Sequence, residues 1–259
     1  MRDYSHISQS PEINRALITD ILETAASKET GKAVQENNKV QEEPTVANKD
    51  FPARFLRETE YLDFSHPALQ TLIRRVREDH SDDRARAVAL HNHVRDNVRF
   101  GFTAAFYDMR ASEVLLSRRG FCNPKATRLT ALLRGAGIPA RQRFFGLSSQ
   151  VLNGLIDPGS DYVDHAVVEV WLDDRWIRTD SYIVDAELFR AGASAHTDVL
   201  GFGVRRDGGT EWDGETDCFA QFHPDFIARD FGVYDDVGRF YRDAPKPYNR
   251  SSWMGRLLA

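Results

Sequence analysis

The stretch RRGFCNPKATRLTALLRGAGIPAR, residues 118–141, decides the fold because it places a cysteine at the start of a helix. Asn123 is a good N-cap, and Pro124 suits the first helical position, where its missing amide proton costs nothing. Apolar residues then recur at helical spacing until glycines and a proline end the run. The residues of this stripe are Ala126, Leu129 and Leu133. The pattern predicts a core-facing helix of about three turns, with Cys122 just before it.

A thiol beside a helix N-terminus lies near the positive end of the helix dipole, which favours the nucleophilic thiolate. Position alone does not establish reactivity, because free cysteines are among the most buried residues in proteins. A structural role for Cys122 therefore stays open until other residues are considered.

The composition indicates a globular protein without a nucleic-acid partner. Of 259 residues, 41% are hydrophobic and 28% are charged, and the net charge of −5 argues against nucleic-acid binding. Met1 is followed by a polar segment without a signal-peptide core, and no stretch approaches the ~18 apolar residues that span a bilayer. We therefore expect a cytoplasmic protein with no membrane partner. Its two cysteines, Cys122 and Cys218, are then expected to be separate thiols.

Three parts follow one another along the chain. Residues 1–26 contain EINRALITDILETAA, whose apolar residues lie on one helical face, and they predict an amphipathic N-terminal arm. Residues 27–50 carry too few apolar residues to pack and predict a flexible linker. Residues 51–259 are expected to form the main domain. Whether the arm docks on this domain, binds a partner or forms an oligomer contact is open, as is the oligomeric state.

Within the main domain, helical periodicity comes first and strand-like runs follow. Residues 66–78 and 82–98 are typical of helices, the second with Ser81 as its N-cap. After Gly137 the runs PARQRFF, DHAVVEVWL and RWIRTDSYI are short and β-prone. Helices followed by strands predict an α+β fold with an antiparallel sheet.

Alternation in HAVVEVWL places His165 on one strand face and an apolar set on the other, which packs inward. The apolar set is Ala166, Val168, Val170 and Leu172. Asp173 and Asp174 then predict a two-residue hairpin turn, since Asp tolerates positive φ. This register pairs Leu172 with Arg175 and makes Asp180 a diagonal neighbour of His165. Such neighbours lie ~7–8 Å apart at Cα, close enough for an imidazole to bond a carboxylate.

Cys122, His165 and Asp180 thus supply a nucleophile, a base and a group that orients the base. Taken singly, a histidine on a strand is usually structural, and an aspartate at a strand end is usually solvated. Their combination favours nucleophilic catalysis.

The segments that carry these residues together resemble the transglutaminase-like superfamily, which has a papain-like cysteine core. They are GFC at 120–122, LLRGAGIPAR at 132–141, HAVVEVWLDDRW at 165–176, and Asp180. The resemblance spans about Ser112 to Ile183. It implies that Cys122 is the nucleophile, His165 the base and Asp180 the orienting carboxylate.

The sequence also departs from the pattern of that superfamily. Val167 stands where many members have an aromatic residue, Asp174 where many have glycine, and Ser181 where a proline usually follows the acid. No loop of the D-x-[DN]-x-[DN]-G type is present, so calcium activation is not transferred.

Several other polar residues have competing interpretations. His91 and His93 suggest a metal site only superficially, because rings at i and i+2 of a helix diverge. A zinc site from Cys218 and His223 lacks a second pair of ligands. Residues 207–217 predict a pair of turns, with a mobile flap as the alternative.

Arg141 and Arg143 favour a solvated strand face over a contact with a substrate carboxylate. Tyr107 is a candidate side-chain donor to an oxyanion, although packing beneath the cysteine loop is the simpler interpretation. The backbone amide of Cys122 is the expected first oxyanion donor.

The sequence therefore predicts thiol-dependent acyl transfer through an acyl-enzyme, on an amide, thioester or ester. The substrate would be a peptide, a protein or a small acyl compound, and an amine or water would take the acyl group. No cofactor is implied. The alternatives are a non-catalytic binding module on the same fold and a zinc site of Cys122 and His165, which lacks further ligands.

Overall fold

A computed structural model describes residues 53–152, 161–194, 199–200, 204–205 and 207–243. The expected N-terminal arm (1–26) and linker (27–50) lie outside the described residues. The helices are α1 Pro67–Asp79, α2 Asp83–Asn97, α3 Ala111–Ser117, α4 Cys122–Gly135, α5 Ala186–Ser194 and α6 Val237–Asp243. Short 3-10 helices span Ala53–Leu56, Ser149–Leu152 and Pro224–Phe226. The strands are β1 Arg99–Phe100, β2 Arg119–Gly120, β3 Ala140–Ser148, β4 Tyr162–Leu172, β5 Arg175–Thr179, β6 Val199–Leu200, β7 Val204–Arg205 and β8 Ile227–Tyr234.

The main sheet has four strands in the order β5-β4-β3-β8, and all its pairs are antiparallel. Two smaller sheets pair β1 with β2 and β6 with β7. Helices α1 to α4 precede the main sheet in sequence, α5 lies between β5 and β8, and α6 follows β8. The separation of helices from an antiparallel sheet confirms the α+β prediction.

The hairpin between β4 and β5 turns at Asp173 and Asp174, whose φ angles are 50° and 60°. Two positive φ values match the twist of the flanking strands, as a type I′ turn requires. Leu172 pairs with Arg175, and Val168 pairs with Thr179. The predicted register is therefore confirmed, and Asp180 follows the last paired residue of β5.

Helix α4 lies at the centre of the core. Every residue from Cys122 to Arg134 is buried, and the inward face of β4 is buried against the same cluster. Burying a leucine such as Leu129, which is 0% exposed, contributes about 1.5–3 kcal/mol. Beyond the C-cap Ala136, Gly137 has a φ of +90°, and the Ile138 amide donates to Leu133 O at 2.9 Å as in a Schellman motif. These contacts fix the position and length of the helix that carries the cysteine.

Two helix starts differ from the predictions. Helix α4 begins at Cys122 with Phe121 as its N-cap, so the prediction that Asn123 caps the helix was wrong. The Asn123 side chain makes tertiary hydrogen bonds instead. Helix α2 is capped by Asp82 rather than Ser81, because the Asp82 carboxylate accepts from the Ala85 amide at 2.9 Å.

The second face of β4 is also covered, so the prediction of a solvated face at Arg141 was wrong. Arg141 is 4% exposed and donates through Nε to Glu169, which also accepts from Arg143 Nε at 2.9 Å. The Arg141 guanidinium lies 4.1 Å from the ring centroid of Trp176. These arginines therefore already hold a carboxylate of the protein itself.

Both cysteines are free thiols, as expected. Among the described residues, no helix combines the length and the apolar character needed to cross a membrane.

Candidate active site

The β4–β5 register brings His165 and Asp180 into direct contact. His165 Nε2 lies 2.8 Å from Asp180 Oδ2, and the two residues are 5% and 0% exposed. A carboxylate oxygen only accepts, so Nε2 carries the proton and donates it. The other ring nitrogen, Nδ1, is therefore the one free to act as a base toward Cys122.

The Asp180 carboxylate is surrounded by donors. Oδ1 accepts from the backbone amides of Ala220 at 2.6 Å and Gln221 at 3.3 Å, while Oδ2 accepts from the Phe222 amide at 2.5 Å. Together with His165, these donors use both oxygens. The arrangement holds the carboxylate in one orientation.

The segment 218–222 reaches Asp180 because it runs beside the end of β5. The Asp180 amide donates to Cys218 O at 3.2 Å, and the Cys218 amide donates to Arg178 O at 3.1 Å. Sequence reasoning missed this segment, since it lies about 40 residues from Asp180 and carries no motif.

The environment of His165 favours the imidazolium. Burial lowers the pKa of His165, but hydrogen bonds with Asp180 and Cys122 outweigh burial and raise it from 6.5 to about 10. The Phe222 ring is stacked on the imidazole, with 6.1 Å between centroids and 17° between planes. The ring is thus fixed by the carboxylate at its edge and by an aromatic ring on its face.

Cys122 is the first residue of α4 and is 8% exposed. Its Sγ lies 3.3 Å from Asn123 Oδ1, which accepts from the thiol. The backbone amide of a first helical residue has no partner within the helix. Cys122 therefore combines a thiol that contacts His165 with an amide available to an oxyanion.

A polar cluster of Asn123, Asp164 and Tyr241 adjoins the thiol. Asn123 Nδ2 donates to Asp164 Oδ2 at 2.5 Å and to the Tyr241 hydroxyl at 2.7 Å, and that hydroxyl donates to Asp164 at 2.5 Å. Burial and the Asp164 carboxylate raise the pKa of Tyr241 well above 10. Asp164 accepts only, so it orients the Asn123 amide with its oxygen toward Cys122. Sequence reasoning missed Asp164 and Tyr241.

Tyr107 lies against this cluster. It is 6% exposed, and its ring is stacked on Tyr241 with 3.6 Å between centroids. These contacts support the packing interpretation of Tyr107.

The histidines of α2 diverge as expected. His91 Nε2 lies 2.7 Å from Ser181 Oγ, whereas His93 Nε2 lies 2.9 Å from an Arg128 nitrogen. Burial lowers the pKa of each histidine to about 4. Within the described part of the chain, no group of three or more His, Cys, Asp or Glu side chains is arranged to hold a metal.

Residues 207–217 form bends and irregular backbone that are hydrogen-bonded to α2. Trp212 is 3% exposed, and Arg95 donates to Thr210 O at 2.7 Å and to Glu211 at 2.9 Å. These contacts hold the segment against α2, and its function as a flap stays a hypothesis.

Comparison with known proteins gives a family match over the region that contains all three site residues. Residues 70–181 match the model of the transglutaminase-like superfamily. This match confirms the resemblance noted in the sequence. A search of curated proteins found no match.

Three solved structures align with parts of the chain. A candidate cysteine protease from Cytophaga hutchinsonii is 22% identical with a TM-score of 0.42, covering 52% of this chain and 43% of that one. The periplasmic domain of TgpA from Pseudomonas aeruginosa is 24% identical with a TM-score of 0.38, covering 54% and 52%. A candidate protease from Parabacteroides distasonis is 15% identical with a TM-score of 0.34, covering 49% and 25%. The chain thus spans about a quarter to a half of these structures.

Proposed function

We propose that this protein is a cysteine-dependent acyl-transfer enzyme with Cys122, His165 and Asp180 as its triad, since residues 70–181 match the model of the transglutaminase-like superfamily. The observation that carries the proposal is the Asp180 carboxylate, which holds His165 Nε2 at 2.8 Å while three backbone amides fix its own position. Because Asp180 is itself held in place, it can keep His165 in the orientation and tautomer that a catalytic base requires.

In the reaction, His165 Nδ1 takes the proton of Cys122, and the sulfur attacks the carbonyl carbon of an amide, thioester or ester. The C–S bond forms as the carbonyl π electrons move to oxygen. The backbone amide of Cys122 stabilises this oxyanion. When the tetrahedral intermediate collapses, the bond to the leaving group breaks and the His165 imidazolium protonates that group.

The acyl-enzyme is then a thioester at Cys122. Attack by an amine forms an amide, and attack by water releases an acid. In either case His165 Nδ1 accepts a proton from the incoming nucleophile and returns it to the departing thiolate. The same three residues serve both outcomes. The acyl donor can be a peptide, a protein or a small acyl compound.

A comparison of the two cysteines tests the proposal without knowledge of the substrate. Cys218 is a matched control, because it is partly buried and burial raises the pKa of its thiol. Iodoacetamide should alkylate Cys122 at neutral pH much faster than Cys218, and His165→Ala should remove that advantage. Equal rates in the wild-type protein would support the binding module instead.

A further inference from the structure

Lys125 is fully buried in α4, three residues after Cys122. A buried ammonium is costly unless its protons are used. Three backbone carbonyls accept from Lys125 Nζ: Val98 O at 2.7 Å, Ile183 O at 2.7 Å and, at a longer distance of 3.5 Å, Arg95 O. All three protons of the ammonium thus have partners inside the protein.

These carbonyls belong to two different segments. Arg95 and Val98 lie at the C-terminal end of α2, the negative end of that helix dipole. Ile183 closes the turn that starts at Asp180, because the Ile183 amide donates to Asp180 O at 3.0 Å. A single side chain therefore joins the helix of Cys122 to the turn of Asp180.

The charged groups that act on Lys125 lie on α2, on α4 and just after the 180–183 turn. The carboxylates of Asp185 and Asp96 favour its ammonium, whereas Arg128 and Arg95 oppose it. Burial is the largest effect and lowers the pKa of Lys125 from 10.5 to about 7. The nearby His91 is neutral above its own pKa of about 4.

We propose that Lys125 is a positioning residue, whose ammonium fixes the 180–183 turn against α4 and so sets the placement of Cys122 relative to the His165–Asp180 pair. The inference rests on the proposed function, in which these three residues react together. When Lys125 is replaced by a side chain without a donor, the Ile183 carbonyl loses its hydrogen bond to α4, and only apolar packing holds the 180–183 turn against that helix. A misplacement of about 1 Å between reacting groups can cost about a hundredfold in rate.

Arg134 is a matched control in the same helix. It is 3% exposed and donates to Ala140 O at 2.8 Å, Arg57 O at 2.9 Å and Asp235 O at 3.2 Å. None of these carbonyls belongs to the 180–183 turn. Lys125→Met and Arg134→Met therefore remove the same kind of buried cation, and both should lower the melting temperature.

The test measures two properties of the wild type, Lys125→Met, Lys125→Arg and Arg134→Met. One is the alkylation rate of Cys122 at mildly acidic pH. The other is the downfield proton resonance of His165 Nε2–H. In Lys125→Met we expect alkylation at least about tenfold slower and a shifted or lost resonance. Arg134→Met should keep both properties. Lys125→Arg keeps a buried donor to these carbonyls and should keep more of both properties than Lys125→Met.

A folded Lys125→Met variant with wild-type alkylation and resonance would overturn the proposal, as would equal losses in Arg134→Met. If neither lysine variant folds, the same two properties are measured on Lys125→Gln, whose shorter side chain cannot reach both carbonyls, and wild-type values of both would overturn the proposal. A wild-type Cys122 no more reactive than Cys218 would contradict the proposed function instead, and the resonance would still test the positioning role.

Discussion

Asn123 Oδ1 lies 3.3 Å from Cys122 Sγ, with its orientation set by Asp164 on the other side of the amide. The proton shared by this pair is held either on the sulfur, where the Asn123 oxygen accepts it, or on His165 Nδ1. An acceptor beside the sulfur favours the thiol, whereas the imidazole draws the proton away. The balance between them controls how readily the nucleophile forms.

Asn123→Asp should shift this balance toward the thiol. It adds a carboxylate between the sulfur and Asp164, and a like charge opposes formation of the thiolate. We expect alkylation of Cys122 at neutral pH to slow about tenfold. Asn97→Asp, at an exposed position near the end of α2, is the control and should leave the rate unchanged. An unaltered rate in Asn123→Asp would show that the amide does not influence the thiol.

Asp180→Asn should lower both turnover and stability. An amide has one acceptor oxygen, so its NH₂ group must face either the 220–222 amides or His165. An unsatisfied buried donor costs about 1–3 kcal/mol, and the wrong imidazole tautomer cuts kcat by orders of magnitude. Urea unfolding and the alkylation rate of the folded fraction measure the two effects. Near-normal values for both would remove Asp180 from the triad.

The Arg141–Glu169 pair provides a test of the buried sheet face. Glu169→Leu removes the carboxylate that Arg141 and Arg143 share and should lower the unfolding free energy. Adding Arg141→Met removes one of the two cations that Glu169 had paired, and it should recover part of the lost stability. The other cation, Arg143, still forms its ion pair with Asp230 at 2.7 Å. A double variant that is no more stable than Glu169→Leu would contradict the role of this pair.

The unfolding free energy should fall in acid because His91 binds a proton more readily in the unfolded chain than in the folded protein. Its pKa is lowered by burial from 6.5 to about 4, so between these values the unfolded chain binds a proton that the folded protein does not. The loss therefore begins as the pH falls below about 6.5 and is complete near 4, with a size of about 3 kcal/mol. His91→Gln should show a shallower acid dependence of unfolding free energy. Parallel curves would mean that His91 is not the group responsible.

The part of the site that depends on local pattern could be predicted. Alternation placed His165, and the hairpin residues Asp173 and Asp174 fixed the register that brings Asp180 to it. Both are short-range features of sequence. The amides of residues 220–222 and the hydroxyl of Tyr241 come from distant segments without motifs, so no local pattern could reveal them.

Tertiary contacts also explain why two predictions from the sequence were wrong. Asn123 is a good N-cap by residue type, but Asp164 and Tyr241 bind its side chain. Arg141 lies on an alternating strand face, yet Trp176 and Glu169 cover it. The N-terminal arm, the linker and the cytoplasmic location stay predictions.

Acylation by p-nitrophenyl acetate tests the central claim most directly. The protein is mixed with this ester, quenched in acid within the first turnover and mapped by peptide mass. The account predicts an acetyl thioester at Cys122 and not at Cys218, with the amount formed greatly reduced in His165→Ala. No acetyl group at Cys122, or equal labelling of the two cysteines, would contradict the claim that Cys122 is an activated nucleophile.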